Sequence, residues 1–235
     1  MQLFYSASIT PTSDVYTFPR EESKHIVRVL RKQIGDHVTI TNGKGYLFKG
    51  EIITNNPNKC SIKLHSAVFQ EPRPYKLHIA IAPTKGNDRF EWFLEKSTEI
   101  GITEITPILC DHSERKQIKE ERFNKILQSA MKQSLQTHLP ILHPLTSFKD
   151  FLKSNTHTSF SGIAHCEESE KSPLTKELTD SKDILILIGP EGDFSISEIQ
   201  QAIDLGFTQI SLGDSRLRTE TAGIIACHSI AFLHQ

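Results

Sequence analysis

Apolar positions along the chain fall into two rhythms. Up to about residue 70 they mostly alternate, and His37–Thr41, Tyr46–Thr54 and Cys60–Val68 read as strands. In the last of these Cys60, Ile62, Leu64 and Val68 share one face. Asn42-Gly43 marks a hairpin turn, and Asn55-Asn56-Pro57-Asn58 separates the next two strands. Gln2–Tyr5 reads as a short strand and Thr10–Pro19 as a loop. One helix, Arg20 to Arg31, interrupts this half. Ile26, Val29 and Leu30 lie on one side of it, while Arg20, Lys24, Arg28 and Arg31 recur at spacings of four, four and three on the other. Such a charge run is either a solvated face or a set of phosphate contacts.

Gln70-Glu71-Pro72-Arg73-Pro74 is a stiff proline segment and the best boundary in the chain. Beyond it strands and helices alternate. Leu77–Ala82 is a buried strand. Asp88 and Glu91 have the spacing of a capping box, and a helix follows with Phe90, Phe93, Leu94 and Ile100 on one face and a Gly101 stop. Trp92 falls off that stripe. Ile102–Leu109 is a strand and Phe123–Leu135 an amphipathic helix. Pro140–Pro144 and Phe160–His165 are short strands around a weak helix at Ser147–Lys153, and Glu167–Asp183 is polar loop or partly helical. This alternation predicts an α/β domain with a mainly parallel sheet over 71–235, after a small β-rich domain over 1–70.

Residues 184–226 organise the rest. Ile184–Ile188 is an uninterrupted apolar run ending in Gly189-Pro190-Glu191-Gly192. Ser195 with Glu198 predicts a capping box and a helix that stops at Gly206. Phe207–Leu212 is a second buried strand, ending at Gly213. A charged loop from Asp214 to Glu220 leads to a final helix, roughly Thr221–His234. Two strands thus each end in a glycine-bearing loop, and ligands of open parallel sheets bind beyond such carboxyl ends.

Composition narrows the classes. The chain has 235 residues, 37% hydrophobic and 23% charged, enough for one large or two modest domains. A net charge of −1 means that nucleic-acid binding requires a local basic patch. Cys60, Cys110, Cys166 and Cys227 form no CxxC pair, which points to reduced cytoplasmic thiols without a disulfide framework. The eleven histidines show no metal-ligand spacing, so no metal is expected. There is no leader-like segment and no apolar run near the length of a membrane span.

Several explanations for the glycine loops fail. GxGxxG is absent after the first strand of the α/β half, no GxSxG appears, and Gly43-Lys44-Gly45 lacks the spacing of a P-loop. Short loops with few, mixed side chains suit a ligand read by backbone N–H and C=O groups. The residues alone therefore indicate a nucleotide-like ligand at the sheet's carboxyl edge.

Leu187–Ser195 (LIGPEGDFS) and Ser211–Ala222 (SLGDSRLRTETA) resemble the two signature segments of the RsmE family, methyltransferases acting on N3 of a uridine in 16S ribosomal RNA. His25–Arg31 is similar to that family's RNA-binding helix. Lys85 with Glu95–Gly101 resembles the first helix of its catalytic domain, and Ser113-Glu114-Arg115 a further element. The resemblance implies a SPOUT-type trefoil-knotted carboxyl-terminal domain and a small amino-terminal PUA-like β-barrel. It also implies S-adenosylmethionine as cofactor, ribosomal RNA or the small subunit as partner, and a cytoplasmic homodimer. Ile188, Gly189, Glu191, Gly192, Leu212, Gly213, Leu217, Arg218 and Thr219 would wrap the cofactor. Arg218 would be the catalytic cation and Glu220 the base or orienter, each with a plain ion pair as the alternative. Arg20, Lys24, His25, Arg28 and Arg31 would hold RNA; His25 could equally be structural. The chain departs from the family at Asp193, where glycine is common, at Gln2, and at Lys132-Gln133-Ser134 with Gln136. Other readings keep the fold but change the acceptor to a ribose 2′-oxygen or a purine, or retain RNA binding without catalysis.

Overall fold

The computed structural model describes residues 2–154, 158–178 and 182–234. Part of the polar stretch expected over 167–183 lies outside them. The chain forms two compact units, residues 1–72 with 131–139 and residues 73–130 with 140–235.

The first unit is a five-stranded sheet of β1 (Leu3–Tyr5), β2 (Val15–Thr17), β3 (His37–Thr41), β4 (Tyr46–Thr54) and β5 (Ser61–Phe69) in the order β1-β3-β4-β5-β2. β1 runs parallel to β3 and the other pairs are antiparallel. β2 falls inside the stretch expected as loop. It is short and mostly exposed, and it is held by pairing with β5 rather than by apolar alternation. Two register shifts interrupt the β4–β5 ladder, and such bulges bend and twist a sheet. One of them defeats the expected face of β5. Gly50 pairs Leu64 and Lys49 pairs Ser66, so β5 spends two residues where β4 spends one. Side chains beyond it change sides. Cys60 and Ile62 are buried as expected, but Val68 is 55% exposed. The core of this unit is Phe4, Ile9, Phe18, Ile26, Val38, Ile40, Phe48, Ile52, Cys60 and Ile62. Residues 131–139 join it through main-chain bonds: Gly45 N–H donates to the Thr137 carbonyl at 2.9 Å, and Leu139 N–H to the Gly43 carbonyl at 2.9 Å.

The basic segment is not one α-helix. α1 covers Arg20–Lys24, and His25–Val29 follows as a π-helical turn, with Leu30 N–H donating to the His25 carbonyl at 2.9 Å. A π turn holds an extra residue, so the four-residue spacing drifts around the axis. This corrects the placement of Val29, which is 65% exposed, whereas Ile26 is fully buried. Arg31 lies beyond the helix at φ 53°.

The second unit is an eight-stranded sheet. Its strands are β6 (Lys76–Ile81), β7 (Glu104–Leu109), β8 (Ile141–Leu142), β9 (Thr146–Ser147), β10 (Phe160–Ala164), β11 (Ser172–Pro173), β12 (Asp183–Ile188) and β13 (Thr208–Ser211). The order is β11-β13-β10-β12-β6-β7-β8, with β9 beside β7, and every pair is parallel. The helices are α2 (Asn87–Ile100), α3 (Glu120–Gln133), α4 (Phe148–Ser154), α5 (Leu174–Glu177), α6 (Ile196–Asp204) and α7 (Thr219–Leu233); the last turn of α3 belongs to the first unit. The Asp88/Glu91 box is not formed. Gly86 occupies the N-cap of α2 without a side-chain cap bond, and Glu91 instead pairs with Arg122 at 2.6 Å. The Ser195/Glu198 box is complete in both directions.

α7 packs against α2, β6 and β12. Gly223 permits the approach: a Cβ there would stand 2.6 Å from a ring carbon of Phe93 and 3.1 Å from Ile81 Cδ1.

Candidate functional site

β10, β12 and β13 lie side by side, so their carboxyl ends open onto one place. The chain after each strand lines a cavity of about 650 Å³, within the size range of small-molecule sites. The loop after β12 is locked from below. Ser195 Oγ accepts from Glu198 N–H at 3.2 Å, and Glu198 Oε2 accepts from Ser195 N–H at 2.9 Å. The other oxygen of Glu198 accepts from Asp111 N–H at 2.9 Å, and Ser195 Oγ donates to Asp111 Oδ2 at 2.6 Å. Glu198 is buried, yet its oxygens are satisfied, which makes burial of the charge tolerable.

Asp193, where the resembling family has glycine, takes φ 65°. Its carboxylate supports that left-handed backbone: Oδ1 accepts from Phe194 N–H at 2.8 Å and Oδ2 from Cys166 N–H at 2.6 Å. Short acceptor side chains tolerate this region best after glycine. The substitution therefore joins the loop after β12 to the chain leaving β10. Gly213, after β13, has φ 127° and an open surround, so its glycine serves backbone conformation. Thr219 Oγ1 donates a buried hydrogen bond of 3.0 Å to the Gly189 carbonyl and ties the third loop to the first.

Of the predicted cofactor residues, Ile188, Gly189, Glu191, Leu212, Gly213, Leu217, Arg218 and Thr219 line the cavity. Gly192 does not. It backs onto His112, whose Nδ1 is 3.1 Å from the carbonyls of both Gly192 and Asp193. The carboxylate of Glu191 accepts from Lys85 N–H at 3.0 Å, which anchors the loop before α2. Lys85 Nζ in turn pairs with Glu114 at 2.8 Å, and Arg115 donates to the Lys85 carbonyl at 2.7 Å and to Asn87. These residues resembled family elements and here brace the rim.

Glu220 sits differently from the sequence expectation. α7 begins at Thr219, not Thr221, with Arg218 as its N-cap, so Glu220 lies in the first helical turn and not in the loop. Glu220 is buried, is absent from the cavity wall, and has Oε1 3.9 Å from Arg89 Nε. Its Oε2 has no hydrogen-bond partner among the described residues. Arg218 is exposed and faces the cavity.

The wall after β10 carries no glycine signal, and His165, Cys166 and Lys171 are not among the site residues that the sequence predicts. Adjacency of β10 to both glycine-ended strands was the missing fact. His165 Nε2 is 3.0 Å from Gln209 Oε1, a carbonyl oxygen that can only accept, so Nε2 carries the proton. Nδ1 is then a buried acceptor without a partner among the described residues. Burial, then the charge of Lys171, lowers the pKa of this ring and keeps it neutral.

The basic residues of the first unit remain exposed at Arg20, Lys24, Arg28 and Arg31. His25 is partly buried, its ring edge-on to Phe4 at 6.4 Å. Lys132 forms an ion pair with Glu22 at 3.2 Å.

An RNA methyltransferase domain family matches residues 71–231, and an RNA methyltransferase PUA domain family matches residues 18–64. The ribosomal RNA small subunit methyltransferase E of Buchnera aphidicola subsp. Acyrthosiphon pisum is 34% identical over 90% of this chain and 85% of its own. The chain belongs to the RsmE family. Among solved RsmE-like structures, an rRNA-methyltransferase candidate from Porphyromonas gingivalis is 41% identical, with a TM-score of 0.91 over 100% of this chain and 98% of its own. A Legionella pneumophila protein described as a methyltransferase, in complex with S-adenosylmethionine, is 26% identical with a TM-score of 0.86 over 97% and 96%. The RsmE assignment accounts for a parallel α/β unit joined to a PUA-like one.

Proposed function

We propose that this chain methylates N3 of a uridine in 16S ribosomal RNA with S-adenosylmethionine as donor. The observation that carries this reading is the cavity at the carboxyl ends of β10, β12 and β13, bounded by the Gly189 and Gly213 loops in a member of the RsmE family. Its wall fits the cofactor: main-chain groups at three strand ends, an imidazole acceptor at His165 with no partner among the described residues, and room for a nucleoside. When bound, the cofactor supplies an electrophilic methyl group on a sulfonium.

The remaining work falls to the chain. The Gly189–Asp193 and Leu212–Thr219 loops would hold the donor, and positioning against an acceptor contributes roughly 7–11 kcal/mol to rate. N3 of uridine is protonated at neutral pH and must lose that proton, to solvent water at the open cavity, as the new C–N bond forms and the methyl's bond to sulfur breaks. Arg218 stabilises the negative charge developing on the flanking carbonyls, reinforced by the positive end of α7. Glu220 acts as an orienter of the α7 start through Arg89, since it does not face the cavity. N3 lies on the Watson–Crick edge, so the base must be unpaired or turned out.

The domain of residues 1–70, with Arg20, Lys24, His25, Arg28 and Arg31, holds the RNA, and the domain of 71–235 carries out the transfer. The path of the chain supports a trefoil knot. From β13, beside β10, the chain crosses the ends of β10 and β12 to lay α7 on β6. Trp92, Phe232 and Leu233 leave apolar surface exposed on α2 and α7 for a second copy, and the enzyme acts as a homodimer in the cytoplasm. No helix among the described residues is long and apolar enough to cross a membrane.

The test is transfer of labelled methyl groups to small ribosomal subunits or their RNA, followed by nucleoside analysis. Recovery of 3-methyluridine supports the reading. A 2′-O-methyl nucleoside or a methylated purine replaces it with another acceptor, and binding of RNA without transfer makes the protein non-catalytic.

A further inference from the structure

The opposite, amino-terminal end of the parallel sheet carries a second cluster. His78 lies in β6, Glu104 opens β7, and His143 follows β8. Register places them together: His78 pairs Glu104 across the ladder, Glu104 pairs Ile141, and His143 N–H donates to the Ile105 carbonyl at 2.8 Å. One nitrogen from each imidazole and one oxygen of Glu104 lie within 4.8 Å of one another. His143 Nε2 is 2.8 Å from Glu104 Oε2, and the two imidazole centroids are 5.4 Å apart. His78 Nε2 is 2.7 Å from Thr106 Oγ1, and its ring packs edge-on to Phe151 at 5.6 Å.

A lone imidazole–carboxylate pair at a surface is ordinary. Here a second, partly buried imidazole converges on the same carboxylate, with its Nε2 beside Thr106 Oγ1. We propose that His78, Glu104 and His143 bind a divalent transition-metal ion of the zinc class. Two imidazole nitrogens and one carboxylate oxygen form a donor set suited to that ion, with the fourth position left to water. Bonds of about 2.0–2.1 Å place tetrahedral ligands about 3.3 Å apart, so a small adjustment sets the geometry: the 2.8 Å His143–Glu104 pair opens slightly, and spacings of up to 4.8 Å close. Glu104 and His143 can supply it, because their side chains are 33% and 36% exposed. The contact of Thr106 Oγ1 with His78 Nε2 holds that ring's orientation in the cluster. The bound ion would clamp β6 and β7 to the chain after β8, at the end of the sheet away from the methyl-transfer cavity.

The experiment uses the full chain, stripped with a chelator and titrated with zinc by calorimetry, with cobalt(II) as an optical probe. One equivalent of zinc is expected, with visible d–d bands for cobalt and a raised Tm, as binding to the folded state requires. His143→Ala and Glu104→Gln, both at partly exposed positions, are each expected to weaken this binding at least about tenfold and abolish the Tm shift, with circular dichroism and S-adenosylmethionine affinity unchanged. Absence of stoichiometric zinc on the wild-type chain overturns the proposal. So does zinc affinity in His143→Ala equal to that of the wild type, which would assign the ion to other histidines.

Discussion

Thr219 Oγ1 donates to the Gly189 carbonyl at 3.0 Å, and this one bond fastens the last helix to the loop after β12. Thr219→Val keeps the shape and removes the donor, leaving a buried carbonyl unpaired at a cost of about 1–3 kcal/mol. The expected result is a lower Tm and several-fold weaker binding of S-adenosylmethionine by calorimetry, with RNA affinity unchanged. Equal cofactor affinity in the variant would detach this bond from the cradle.

Arg218 lines the cavity and caps α7 without a side-chain cap bond among the described residues, and the proposed function gives it the charge-stabilising role. Arg218→Ala is expected to lower kcat by about a hundredfold or more, the loss seen when a preorganised charge is removed. Glu220→Gln should fall less and should also lower stability, because its carboxylate faces Arg89. Single-turnover methyl transfer separates the two. A larger loss of rate in Glu220→Gln would return the proton acceptor to that residue.

Asp193 offers a graded test of backbone strain. Asn keeps a short acceptor at φ 65°, Gly keeps the conformation but loses the bond to Cys166, and Ala keeps neither. Urea denaturation should rank stability wild type, Asn, Gly, Ala, with Ala roughly 1–3 kcal/mol below wild type. Ala equal to wild type would refute the strain argument.

Gly223→Ala sets two effects against each other. Alanine improves helix propensity by up to about 1 kcal/mol. Overpacking costs about 1–3 kcal/mol, and the new Cβ would stand 2.6 Å from the ring of a fully buried Phe93. Overpacking should win, so the variant is expected to be less stable in thermal denaturation. A stabilised variant would mean that α7 can move away from α2 freely.

Lys24→Ala combined with Arg28→Ala removes two exposed cations from the amino-terminal unit. If both touch phosphate, the slope of log affinity against log salt should fall by about 1.4–1.8 in magnitude, with cofactor binding intact. An unaltered slope, measured with small-subunit RNA, would remove this segment from the RNA contact.

Features encoded within a few residues were legible in the sequence. The Ser195/Glu198 cap, the buried run at Ile184–Ile188 and the stop at Gly213 each carry their reason locally. Asp88/Glu91 had the same spacing as a true cap and failed, because Glu91 found Arg122 on another helix. The π turn at His25–Val29 and the bulge in β5 each shift a periodic pattern by one residue, which flipped Val29 and Val68 to solvent. The cavity wall at His165 and the cluster of His78, Glu104 and His143 depend on which strands are neighbours. Strand order is long-range information that no spacing along the chain contains.

The bond between Asp193 and Cys166 has a practical outcome. Cys60, Cys110 and Cys227 are buried, while the thiol of Cys166 is exposed on the cavity wall. A thiol-reactive dye would therefore attach at one place among the described residues, beside the mouth proposed to admit donor and RNA. Its emission would follow entry and departure of both in real time, without any engineered label.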